Sequence, residues 1–197
     1  GGIEQDNSND GYLGSLNRFY LEENYIADTF GDPDSAVFIS VDMPNIYSTE
    51  ALELVRAIHE RMEEISFVTE VNSVINLEDV SGAADTITTF DLIPKNADGR
   101  PVLPATKTEL AELRRQLEAN EVFESYIYSK ARNVDGLPAA WNITVGMEET
   151  EERPAEFINQ LESELRRFER PGVELYLFGG DVLTRAVDNS GLQDLTR

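Results

Sequence analysis

Apolar residues fall into runs of two kinds along this chain, and their spacing predicts a strand–helix–strand unit that occurs twice. In the first unit, Ala36-Val37-Phe38-Ile39-Ser40-Val41 is β-branched and apolar and stops at Met43-Pro44, which predicts a strand. Leu54, Val55, Ile58, Met62 and Ile65 then recur at three- and four-residue spacing, the mark of a helix with one buried face. Ser48 or Thr49 can cap that helix, and Glu50 places an anion at the positive end of its dipole. Phe67 to Ile75 is predicted to return as a second strand.

The second unit has the same order. Ala139 to Val145 predicts a strand, and Pro154 suits a first helical turn behind the acidic run Glu148, Glu149, Glu151, Glu152. Phe157, Ile158, Leu161, Leu165 and Phe168 form the buried face, Pro171-Gly172 ends the helix, and Val173 to Phe178 is the closing strand. Between the units, Thr86 to Ile93 and Phe123 to Ser129 are expected to be extended. Thr106-Lys107-Thr108-Glu109 has the capping-box form, with Leu110, Leu113 and Leu117 behind it. Residues 1–11 read as a polar lead-in, 12–30 as short helix, and 182–197 as a last amphipathic segment. The fold class is therefore α+β. Two βαβ units in a split-βαβ, ferredoxin-like arrangement, a two-layer α/β sandwich, are the expected architecture, with the units at about 36–75 and 139–178.

Charge narrows the partners. The 197 residues carry 38 acidic and 16 basic side chains, a formal net charge of −22. Such a surface repels phosphate backbones, and Arg114-Arg115 and Arg166-Arg167 lie among glutamates, so no nucleic acid is expected as a partner. No stretch approaches the roughly 20 apolar residues of a membrane helix.

Candidate chemistry is sparse. Without cysteine there is no disulfide, thiolate nucleophile or thiolate metal ligand. His59, the only histidine, falls at the edge of the first helix's apolar stripe and reads as a partly exposed helix residue; a triad would need a serine and an acid from elsewhere. No G-x-S-x-G, H-E-x-x-H, Walker-A or G-x-G-x-x-G pattern occurs, and one histidine is too few for zinc. Asp32-Pro33-Asp34 and Glu148 to Glu152 are oxygen-rich candidates for calcium, yet neither matches an EF-hand loop, and they read as solvated runs. Gly179-Gly180-Asp181 reads as a turn into a capped helix rather than a phosphate loop, and Asn142-Ile143-Thr144 is a formal glycosylation acceptor inside a strand. No catalytic, cofactor-binding or metal-binding residue is assigned, and no cofactor is implied.

The order and wording of these elements resemble a known family. Phe30-Gly31-Asp32-Pro33-Asp34-Ser35-Ala36-Val37 resembles the opening of a porter domain in the RND superfamily of exporters. Thr49-Glu50-Ala51-Leu52 with Val68-x-x-Val71-x-Ser73 is similar to that family's "T-x-E-x-L … V-x-x-V-x-S" stretch. Tyr128-Ser129 through Asp135-Gly136 to Ala140-Trp141-Asn142-Ile143-Thr144-Val145 is similar to "S-x-D-G-x-x-A-x-I-x-V", with Lys130 to Val134 as extra residues. Leu175 to Asp181 resembles the "strand, G-G, helix" exit. The resemblance is clearest to the MMPL-like branch. It implies a non-catalytic extracytoplasmic domain between the first and second membrane helices of a proton-motive-force-driven exporter. On that reading 1–30 is a lead-in from one membrane helix, 31–181 the porter domain and 182–197 the exit towards another. The implied partners are a hydrophobic or lipid-like substrate and the transmembrane remainder, with homo-oligomerisation left open; substrate-binding residues are not defined by the family pattern. The proton relay would lie in the membrane helices. Two other readings stay open: a free-standing acidic ligand-binding or interaction domain, and a carboxylate-dependent hydrolase.

Overall fold

A computed structural model of the chain describes residues 36–83, 86–130, 139–148 and 155–179. β1 (Ala36–Asp42) alternates in burial, with Val37, Ile39 and Val41 fully buried and Phe38, Ser40 and Asp42 half-buried on the opposite face. It is the strand to which β6 (Ala140–Met147) and β7 (Glu174–Gly179) both pair, antiparallel on either side. β2 (Val68–Asn72) adds antiparallel to β6, giving the order β2-β6-β1-β7, and the two-residue β5 (Tyr128–Ser129) lies end to end with β2 along the same edge of β6. β1 and β2 thus run parallel with β6 between them, and β6 and β7 run parallel with β1 between them.

The helices lie between these strands in sequence. α1 (Thr49–Glu63) starts on Ser48, whose Oγ accepts the Ala51 N–H at 3.1 Å, and this settles which of the two expected residues is the cap. Thr49 instead donates its hydroxyl to the Pro104 carbonyl at 3.0 Å, tying the helix start to a distant loop. Leu52, Val55, Ile58 and Met62 are fully buried, as is Leu161 of α4 (Ala155–Leu165). They join the inward face of β1 and Trp141, Ile143 and Val145 of β6 in one apolar cluster. Burial of each such side chain stabilises the fold by about 1.5–3 kcal/mol. The molecule is therefore α+β, with an antiparallel sheet backed by helices. Phe67 and Phe157 stack 4.0 Å apart, nearly parallel, and pin α4 beside the start of β2.

Two expectations are corrected, and one element was not foreseen. The strand from Phe67 to Ile75 is shorter, because Asn76 turns the chain: its Oδ1 accepts the Ser73 N–H and its Nδ2 donates to the Val71 carbonyl. Phe123 to Ser129 is not extended throughout. α3 (Phe123–Tyr126) forms there because Phe123 and Ile127, one helical turn apart, both enter the core, and the Ile127 N–H reaches the Phe123 carbonyl at 2.9 Å. Finally, Glu78–Ala83 (β3) pairs antiparallel with β4 (Thr86–Asp91) in a separate two-stranded sheet, an element whose polar wording gave no strand signal. The expected lead-in, exit segment, Asp32-Pro33-Asp34 and the turn at 135–138 lie outside the described residues.

α2 (Lys107–Ala119) carries the expected capping box. Thr106 Oγ1 accepts the Glu109 N–H at 3.2 Å while Glu109 Oε2 accepts the Thr106 N–H at 2.9 Å. The Thr106 and Ala105 backbone donors hold the Glu109 carboxyl below its ordinary pKa. Thr106→Ala is expected to lower unfolding stability by about 1 kcal/mol, read as a lower urea midpoint at pH 7. An unchanged midpoint would show that the cap is dispensable.

Candidate functional site

The lone histidine is not where its helical position suggested. His59 is 4% exposed, its Nδ1 lies 2.9 Å from Ser73 Oγ, and its Nε2 lies 3.3 Å from Glu63 Oε1. The correction has a simple cause: β2 and the turn after it close over this side of α1, bringing fully buried Ser73 against the ring. A serine, a histidine and a carboxylate are thus adjacent, but they do not form a nucleophilic site. Ser73 Oγ has no solvent access and also accepts the Ile75 N–H at 3.2 Å, so no acyl group can reach it. These bonds hold the turn to the helix.

Burial lowers the His59 pKa, against the opposing pull of Glu63 and Glu60. A depressed folded-state pKa means that the unfolded chain takes up the proton first. The contribution is whole above the unfolded value of about 6.5 and is lost as pH falls from there through the folded value. The wild-type urea midpoint is therefore expected to fall more between pH 7.5 and pH 5 than that of His59→Gln. Equal falls would remove the histidine from the acid response.

The other sequence candidates do not converge. Among the described residues no group of three or more His, Asp or Glu side chains is placed to hold a metal ion. Glu148 is described but Glu149 to Glu152 are not, and of the Gly-Gly-Asp turn only Gly179 is described. Asn142 and Thr144 are 4% and 1% exposed in β6, so the folded chain presents no glycosylation acceptor there. Glu164 on α4, 8% exposed, accepts from Arg61 Nε at 2.8 Å and lies 3.0 Å from Arg167 Nη1; the Arg61 bond first of all holds its pKa down. That network fastens α4 to α1 and is structural.

Three clefts are lined by described residues. One, of about 400 Å³, lies between the 92–104 loop and α2; its walls include Leu92, Val102 and Leu113, with Glu109 and Glu112 as its charges. A second, of about 600 Å³, lies between Met43 and the 170–174 turn, with Asp42, Arg170 and Glu174 as its charges. The third, of about 500 Å³, is bounded by the Pro44–Tyr47 loop, the C-terminal half of α2 and β5. Tyr47 and Tyr128 are among its lining residues, and Trp141 packs behind them. Trp141, fully buried, donates its indole N–H to the Ile46 carbonyl at 2.7 Å and meets Tyr47 and Tyr128 edge to face, at 5.5 and 6.5 Å. The Arg114 guanidinium lies 5.3 Å from the Tyr47 ring centroid, and Lys130 Nζ lies 6.0 Å from that of Tyr128. The Tyr47 hydroxyl is buried without a hydrogen-bond partner, and burial pushes its pKa well above the ordinary phenol value.

Sequence reasoning missed this third cleft because its walls come from three segments far apart in the chain. The one available signal was the single tryptophan beside Asn142, a large side chain in a strand otherwise built of small and branched residues. The chain matches no known family model and no curated protein.

Proposed function

We propose that this chain is the extracytoplasmic porter domain of an RND-type exporter of the MMPL-like branch, a non-catalytic module on the path of a hydrophobic or lipid-like substrate. The observation that carries the reading is where the described core starts and stops. Val37 and Gly179 are register partners in adjacent antiparallel strands, so the described chain enters β1 and leaves β7 at the same end of the sheet. A domain set between two membrane helices needs both connections on one side. The strand order supports the finer description as well: β1–α1–β2 and β6–α4–β7 are each a helix joining parallel strands split by a strand of the other unit, the ferredoxin-like plan.

The complete reading frame is expected to carry an apolar stretch of about 20 residues on each side of this segment. Val102, 53% exposed in a chain without cysteine, offers a site for testing the side of the membrane. In the full-length protein, Val102→Cys should react with a membrane-impermeant maleimide in intact cells, identified by the mass of the labelled peptide. Labelling only after lysis, or a reading frame without apolar flanks, would sink the proposal. The second reading, a free-standing acidic binding domain, is favoured by the aromatic cleft at Tyr47 and predicts the frame without flanks.

A further inference from the structure

The outward face of the β1–β7 ladder changes character along its length. At one end Phe38 and Phe178, register partners on that face, stack with their ring centroids 5.4 Å apart. Ser40 and Tyr176 are the next pair on the face, and Asp42 and Glu174 the last. Like charges set directly opposite each other in an antiparallel pair destabilise it. Among the described residues no hydrogen bond bridges the two carboxylates. Asp42 Oδ1 accepts from Ser40 Oγ at 2.7 Å and Glu174 Oε2 from the Tyr176 hydroxyl at 2.5 Å, each a hydroxyl of its own strand. Arg170, the cation of the adjoining cleft, has its Nη2 3.3 Å from Glu50 Oε1 at the start of α1. On the other side of β1, β6 sets uncharged Ala140 opposite Asp42. Asp42 is half-buried and Glu174 exposed, so Asp42 is the member of the pair for which losing its charge matters more.

We propose that the Asp42–Glu174 pair makes the β1–β7 seam an acid-tightened joint: two facing carboxylates loosen this end at neutral pH, and uptake of one proton by Asp42 closes it. Burial above all, with the charge of Glu174, raises the Asp42 pKa, and the Ser40 bond opposes the rise. A raised folded-state pKa means that the folded chain takes up the proton first. Stability is therefore gained as pH falls through the folded value, and the gain is whole below the unfolded value of about 3.9. His59 works in the opposite sense and at another place, where α1 meets the turn after β2. Acid thus loosens one seam of the domain and firms another. The proposal does not depend on the porter reading.

Amide hydrogen exchange of the 197-residue chain at pH 7.5 is compared between wild type and Asp42→Asn. Protection of the β7 amides is expected to rise about twofold to fivefold in the variant, while that of β2 stays the same. Asparagine keeps an oxygen to accept the Ser40 bond, so the change removes the charge and little else. Glu174→Gln should give a similar gain, and the double variant no more than either single one, because one lost charge already ends the repulsion. Carbon NMR of the Asp42 carboxyl reads the coupling directly. Its titration should move down by about 0.2–0.7 of a pH unit in Glu174→Gln. Equal β7 exchange in wild type and Asp42→Asn, a gain shared equally by β2, gains that add in the double variant, or an Asp42 titration unmoved by Glu174→Gln would overturn the proposal.

Discussion

Trp141→Ala is expected to lower unfolding stability by about 3–5 kcal/mol, the largest loss foreseen for any single change here. Trp141 is fully exluded from solvent at the junction of β6, β5 and the loop before α1, and it contacts both Tyr47 and Tyr128 edge to face. Its removal leaves a cavity in a wall built from three distant segments, which cannot all move in to fill it. The Ile46 carbonyl also loses the indole donor it accepts from at 2.7 Å. Trp141→Phe separates these effects: the ring space is mostly kept, the hydrogen bond is lost, and about 1–3 kcal/mol should go. Far-UV circular dichroism in urea is the suitable readout, since the alanine variant has no tryptophan left to report. A midpoint for Trp141→Ala equal to that of Trp141→Phe would mean that packing behind Tyr47 and Tyr128 contributes little.

Gly179→Ala is expected to be the next most damaging. Gly179 has φ +146°, a backbone state that side-chain-bearing residues rarely adopt, and an added Cβ would lie 2.8 Å from the Ala36 carbonyl oxygen and 3.3 Å from the Val37 Cα. Strain of about 1–3 kcal/mol therefore joins overpacking of about 1–3 kcal/mol. The obstacle is backbone of the central strand and cannot swing aside. Gly172 gives the matched control, since it has φ +81° with nothing within 4 Å of the added atom, so Gly172→Ala carries only the strain. Urea midpoints should rank wild type above Gly172→Ala and Gly172→Ala above Gly179→Ala. Reversal of the last two would show that the contact with Ala36 yields easily.

Much of the scaffold was legible because it is written in local terms. The alternation of β1, the three- and four-residue spacing of Leu54, Val55, Ile58 and Met62, and the Thr106–Glu109 capping box each carry their own signal within one element. What was misread depends on partners. Phe123-Glu124-Ser125-Tyr126-Ile127 has strand-forming residues, yet core burial of Phe123 and Ile127 at helical spacing overrides that preference. Glu78 to Ala83 is too polar to predict a strand and becomes one only because Thr86 to Asp91 folds back on it. His59 looked half-exposed because its own helix says nothing of Ser73, fourteen residues on. The cleft at Tyr47 was illegible for the same reason: Tyr47, Arg114 and Tyr128 have no relation in sequence, and only the packing around Trp141 makes them neighbours.

The side-by-side position of Ala36 and Gly179 also sets how the domain bears load. The six register pairs of β1 and β7 run from Val37–Gly179 at that end to Asp42–Glu174 at the other. Tension that draws the two flanking segments apart acts on the Val37–Gly179 end alone, so the ladder opens like a zipper, one pair after another. It is not sheared with all pairs resisting together. Under such tension the β1–β7 ladder is loaded pair by pair, while β6 and β2, on the far side of β1, lie off the line of force.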